Sequence, residues 1–138
     1  MHQNDNMLAR VVALGFGVAV VMMTIAGCSP SAANYADLDR EPASGDALPD
    51  VFEETASEIQ DGSSRLIGEH GGDTIWIARG TAPDHVCLAV LDASDEAAVA
   101  CGSDSGPLQF GWYVVFSDGA PTPTGTMLLS ENVATADR

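Results

Sequence analysis

Three hydrophobic patterns follow one another along the chain. Residues 11–25, VVALGFGVAVVMMTI, form an uncharged apolar run behind the polar stretch MHQNDNMLAR. A bilayer-crossing helix needs about 20 apolar residues, whereas the apolar region of an export signal needs only about 7 to 15. This run has the length of a signal. Residues 29–48, SPSAANYADLDREPASGDAL, are rich in Ser, Ala, Asp and Pro and poor in core-forming side chains. They read as a flexible tether of ~20 residues with an r.m.s. reach of roughly 25 Å. On that reading a chain beginning near Ser44 folds as well as one carrying the whole segment.

From Asp50 the pattern becomes periodic. Phe52, Ala56 and Ile59 recur at i, i+4 and i+7, Asp50 is placed to cap, and Glu53 follows three residues later. This predicts one amphipathic helix, stopped by Gly62. The period then drops to two. RLIGEH and TIWIAR, joined at Gly71-Gly72-Asp73, predict a hairpin. Residues 86–91 (VCLAVL) and 97–101 (AAVAC) flank the polar stretch 92–96 and predict a second, with Leu91 facing Ala97, Ala89 facing Val99 and Cys87 facing Cys101. LQFGWYVVF reads as one strand with Phe110, Trp112, Val114 and Phe116 on its buried face, and TMLLS begins a last short strand ending near Val133. The expected class is α+β: one N-terminal amphipathic helix followed by about six mostly antiparallel strands, as a β-meander or small sheet with the helix packed on one face.

The apolar run ends in Ile25-Ala26-Gly27-Cys28. These residues resemble the lipobox of bacterial lipoproteins, with Ile25 where Leu is usual. The resemblance implies cleavage before Cys28, because small residues at Ala26 and Gly27 let a membrane-embedded peptidase reach the backbone, and attachment of lipid to the Cys28 sulfur. It also implies an extracytoplasmic address, with the membrane as a partner through that lipid. Three cysteines make an odd count that lipidation resolves. Cys87 and Cys101 then remain as a pair in a compartment where disulfides persist. Directly opposed residues of a non-hydrogen-bonded antiparallel pair have Cα atoms about 4.5 Å apart, within disulfide range. Loop length and cysteine spacing thus select the same register.

Charge removes one class of partner. The net charge is −15, and residues 1–27 contain one Arg and one Asp, so all of it belongs to residues 28–138. Lysine is absent, and the only bases after Cys28, histidines aside, are Arg40, Arg65, Arg79 and Arg138. Such a chain cannot form the basic patch that phosphate backbones require, which excludes nucleic acid. The same charge opposes anionic headgroups, so membrane attachment rests on lipid alone.

Side-chain chemistry is sparse. Residues 101–108 (CGSDSGPL) resemble the nucleophile loop of chymotrypsin-like serine proteases but lack one of its glycines, whose backbone geometry the oxyanion hole requires. The loop therefore reads as a turn. Asp92, Ser94, Asp95 and Glu96 are oxygen ligands of the kind Ca²⁺ takes, yet the EF-hand glycine and distal Glu are missing, so they read as a solvated hairpin tip. His70 and His85 lie at strand ends outside any tight ligand spacing. Trp76, Trp112 and Tyr113 are candidates to line a ligand site, but aromatic residues on alternating strands are more often core, and they read as core. No residue is assigned a catalytic or metal role, and no cofactor is implied.

The expected organisation is a lipoprotein signal peptide at 1–27, a lipidated tether at 28–48 and a small disulfide-containing domain at 49–138. Within the domain, Ala78-Arg79-Gly80 after a glycine-turn hairpin and before a two-cysteine hairpin resembles small lipoproteins that actinobacteria encode, a likeness that implies no particular activity. The leading expectation is a non-catalytic binding domain at the cell envelope, for an envelope protein or surface ligand. The alternative is a small envelope hydrolase using acidic residues and a histidine. A pocket with convergent polar groups would favour the enzyme, and a flat face with exposed apolar surface would favour binding.

Overall fold

The computed structural model of the protein describes residues 33–136; the apolar run, Cys28 and Arg138 lie outside them. Eight strands make two antiparallel sheets. The first is a meander of β1 (Arg65–His70), β2 (Asp73–Arg79), β3 (His85–Leu91) and β4 (Ala97–Ser103), paired in that order. The second contains β5 (Leu108–Phe110), β6 (Tyr113–Val115), β7 (Thr126–Leu128) and β8 (Val133–Ala136), in the order β5-β6-β8-β7. The fold is mostly β, which corrects the α+β expectation. Among the described residues the only α-helix is the single turn α1 (Ala36–Asp39), and no helix is long and apolar enough to cross a membrane.

The two faces of the first sheet explain both its sequence and its role as the centre of the molecule. On one face Ile75, Ile77, Val86, Leu88 and Val90 meet Tyr113, Val115 and Val133 of the second sheet, together with Tyr35 and Leu38. On the other, Trp76, Ala78, Cys87 and Ala89 pack beneath Phe52 and Ile59. A strand covered on both sides has no polar face, which is why VCLAVL is apolar without interruption.

The predicted amphipathic helix over 51–60 is absent. A 3-10 turn, Asp50–Phe52, is followed by further turns. The Phe52 carbonyl accepts the Thr55 and Ala56 N–H groups, and the Thr55 hydroxyl competes for it. Beyond it the chain is drawn into β pairing: Ile59 bridges Gly80, Gln60 N–H donates to the Arg79 carbonyl, and Thr81 N–H donates to that of Glu58. A ten-residue helix is marginal by itself, and these bonds outcompete it. Phe52 and Ile59 remain buried, so the apolar spacing reported burial correctly and the element wrongly.

LQFGWYVVF is also not one strand. Gly111 has φ +58° and the chain reverses over Gly111-Trp112, with Phe110 pairing Tyr113. A positive φ at the first central residue only is the type II′ arrangement, which favours glycine there. The reversal changes the expected face within β6: Tyr113 and Val115 are buried in place of Trp112 and Val114, and Trp112 is 52% exposed, whereas Phe116 is buried as expected and Phe110 packs against the core.

The segment expected as tether is part of the domain from residue 33 onward. Tyr35 is 2% exposed, and burial together with the nearby Asp104 carboxylate raises its hydroxyl pKa to about 12. Asp37 ties the segment to the second sheet: its carboxylate accepts from Ser130 Oγ (2.6 Å) and Asn132 N–H (2.9 Å), while its own N–H donates to Asn132 Oδ1 (2.9 Å). Asp46 ties it to the first. Only 4% exposed, its carboxylate accepts from both Arg40 Nη atoms (2.8 and 2.6 Å) and from the Ala43 and Leu66 N–H groups (2.6 and 2.8 Å).

The Arg40 hydrogen bonds, with the two backbone donors, hold the Asp46 carboxyl far below the usual carboxylate range. A depressed folded-state pKa contributes stability that is complete above the unfolded value near 4 and is lost as pH falls through it toward the folded value. Asp46→Asn should cost about 2–4 kcal/mol at pH 7. In denaturant titrations the variant should lose less stability than the parent between pH 6 and pH 3. A parallel loss in both would remove Asp46 as the source.

Candidate functional site

The strands run between two ends of the molecule. At one end the N-terminal segment joins the domain: Ala33 N–H donates to Asp104 Oδ2 (3.1 Å), Ala36 N–H to Asp118 Oδ1 (3.0 Å) and Asp118 N–H to the Asn34 carbonyl (2.8 Å). His85 and Ser103, paired across β3 and β4, lie at this end. The hairpin tips at 71–72 and 92–96 form the far end, where Gly72 and Ala93 approach each other. The Gly111-Trp112 turn reaches the same end from the second sheet.

The far end holds an open cleft of about 340 Å³ that draws on both sheets. Asp73, Asp92 and Glu96 come from the two tips, and Phe110, Trp112 and Tyr113 from the turn. Its geometry is set by backbone. Asp92 Oδ1 accepts the Ser94 and Glu96 N–H groups (2.8 and 2.9 Å), and Asp95 takes φ +60° to close the loop. Tyr113 Oη donates to Asp73 Oδ2 (2.5 Å), joining the sheets across the cleft. Aromatic faces beside carboxylates suit a positively charged group, which gains from both the ring quadrupole and the charge. A second hollow, about 330 Å³, lies between residues 47 and 64 and is walled by that one segment, with Phe52 and Ile59 among its lining.

The residues singled out from sequence are dispersed. Cys87 and Cys101 form the expected pair, bonded and in the expected register, with Cα atoms 4.1 Å apart. They lie under the turn at Glu58, whose carbonyl oxygen is 3.7 Å from Cys87 Sγ. Ser105 sits in the turn after β4, and its Oγ accepts from Ser103 Oγ (3.0 Å). Asp104, next to it, receives the Ala33 N–H instead of orienting a histidine. His85 Nδ1 donates to the Pro83 carbonyl at 2.9 Å. His70 ends β1 at the far end of the molecule, so the two histidines are separated. The Asp92 to Glu96 oxygens do not converge as ligands, and among the described residues no group of three His, Cys, Asp or Glu side chains is arranged to hold a metal ion.

Of the aromatics weighed as ligand-site or core residues, Trp112 and Tyr113 line the cleft, and the preference for core is wrong at Trp112, which is half exposed. The available signal was Gly111, since glycine inside an aromatic strand marks a bend or a close approach. The described arginines are structural. Arg40 pairs with Asp46, Arg79 Nη2 lies 3.3 Å from Asp39, and Arg65 donates to the Arg40, Gly62 and Ser64 carbonyls. Gly80, the end of the Ala78-Arg79-Gly80 pattern, is set by packing, because a Cβ there would lie 2.7 Å from that of His85. No family model, curated protein or solved structure matches the chain.

Proposed function

We propose that the chain is an exported lipoprotein, held on a membrane by lipid on Cys28, whose domain is a non-catalytic binding module using the cleft at its far end. The observation that carries the anchoring is the order of features in the sequence: an uncharged run of signal length, then Ile25-Ala26-Gly27-Cys28, then a domain in which the remaining two cysteines are already paired. A disulfide suits an oxidising compartment. Binding is favoured over hydrolysis because His85, Ser105 and Asp104 bond to Pro83, Ser103 and Ala33 and not to one another, and because the open cleft sets the half-exposed Trp112 beside Asp73, Asp92 and Glu96. The ligand feature that suits this cleft is a positive charge, such as a basic side chain of an envelope protein.

Both halves are testable on one expressed chain. A fatty-acid analogue should label the parent and not Cys28→Ala, because no other thiol follows small residues at the end of an apolar run. Label retained on Cys28→Ala would overturn the anchoring. A tetra-arginine peptide should bind the detergent-solubilised parent and bind Trp112→Ala combined with Glu96→Gln at least tenfold more weakly. Equal affinities would take the cleft out of the proposal.

A further inference from the structure

We infer that the anchored domain stands on the bilayer with fixed polarity: the Ala33 end faces the headgroups and the cleft faces outward. This rests on Cys28 lipidation, but it comes from where the folded part begins. Since Ala33 is already bonded to Asp104 and Tyr35 is already in the core, only residues 29–32 separate the lipidated cysteine from the domain. The five steps from Cys28 to Ala33 span at most about 18 Å when fully extended. The domain is longer than that. β3 alone, from His85 at the near end to Leu91 at the far end, covers about 20 Å, with the 92–96 tip beyond it. Turning the far end toward the membrane would require the link to run back along more than its own length. A ~20-residue tether with a reach of roughly 25 Å would permit any orientation.

Surface chemistry at the near end agrees with this. Leu128, 54% exposed, lines a hollow there with Ala36, Asp118 and Thr122, and offers an apolar contact at the interface. Asp84, Asp104, Asp118 and Glu131 occupy or border the same end and oppose deep approach to anionic lipid. The domain is therefore seated at the headgroups without being drawn into them. The cleft formed by Asp73, Glu96 and Trp112 is then presented to whatever lies beyond the membrane surface.

The test introduces a single cysteine into the full chain, at Thr122 (near end) or at Ser94 (far end), both exposed. Membranes carrying the processed protein are treated with a bulky polyethylene-glycol maleimide, which the Cys87–Cys101 disulfide does not consume. Ser94→Cys should react at least tenfold faster than Thr122→Cys on membranes, and the two rates should converge in detergent. Inserting a 20-residue Gly/Ser spacer after Pro30 should also equalise them. Equal rates on a fatty-acid-labelled chain without the spacer would overturn the orientation and leave the anchoring intact. Absence of the label would overturn the anchoring and the orientation with it.

Discussion

A chain beginning at Ser44 should fail to fold. Loss of residues 33–43 takes away Tyr35 and Leu38, which fill one end of the core shared by the two sheets. It also takes away Arg40, leaving Asp46 buried without its cation, and Asp37, leaving Ser130 and the Asn132 N–H without their acceptor. Truncating a buried aromatic typically costs about 3–5 kcal/mol, and leaving the buried Asp46 carboxylate without the half-exposed Arg40 adds about 1–3 kcal/mol. Together they are a large share of the roughly 5–15 kcal/mol that holds a domain of this size. The shortened chain should therefore show no cooperative thermal transition at neutral pH, whereas a chain beginning at Ser31 should melt like one beginning at Cys28. A clean transition within a few degrees of the parent would mean that the segment contributes little despite its burial.

That expectation reverses the reading of residues 29–48 as a tether, and the reason lies in how core residues are recognised. Tyr35 and Leu38 are two apolar side chains among Ser, Ala, Asp and Pro, too few to establish a period. Their burial is supplied by a cavity between two sheets, which no local pattern announces. The acidic residues around them looked like solvated linker composition, yet Asp37 and Asp46 each gather bonds from residues distant in the chain. At the other extreme, the first sheet was legible because its determinants are local: glycines in the 71–72 turn, a five-residue polar loop and cysteines placed symmetrically about it. The second sheet lay between. Its strands are only three or four residues long, too short for alternation to be distinguished from a single bent strand. Missing the turn at Gly111 exchanged Trp112 and Val114 for Tyr113 and Val115 as the buried pair, although Phe110 and Phe116 do pack inward, and it hid the exposure of Trp112.

Reduction of the Cys87–Cys101 bridge should lower the melting temperature by about 10–25 °C. The cysteines are 14 residues apart, and closing a loop of ~15 residues restricts the unfolded chain by roughly 3 kcal/mol. At about 4–8 °C per kcal/mol for a domain near 100 residues, that stabilisation sets the size of the shift. The effect acts mainly on the unfolded state. β3 and β4 keep their full ladder, from His85 opposite Ser103 to Leu91 opposite Ala97, whether or not the sulfurs are joined. A double Cys87→Ala, Cys101→Ala variant should therefore keep the same sheet signature at 25 °C while melting earlier. Thiol titration of an unreduced, denatured chain beginning at Ser31, which contains only these two cysteines, should find no free sulfhydryl. Two titratable thiols, or a melting temperature unmoved by reduction, would show that the register is held by the hairpin alone and that the bridge adds nothing to it.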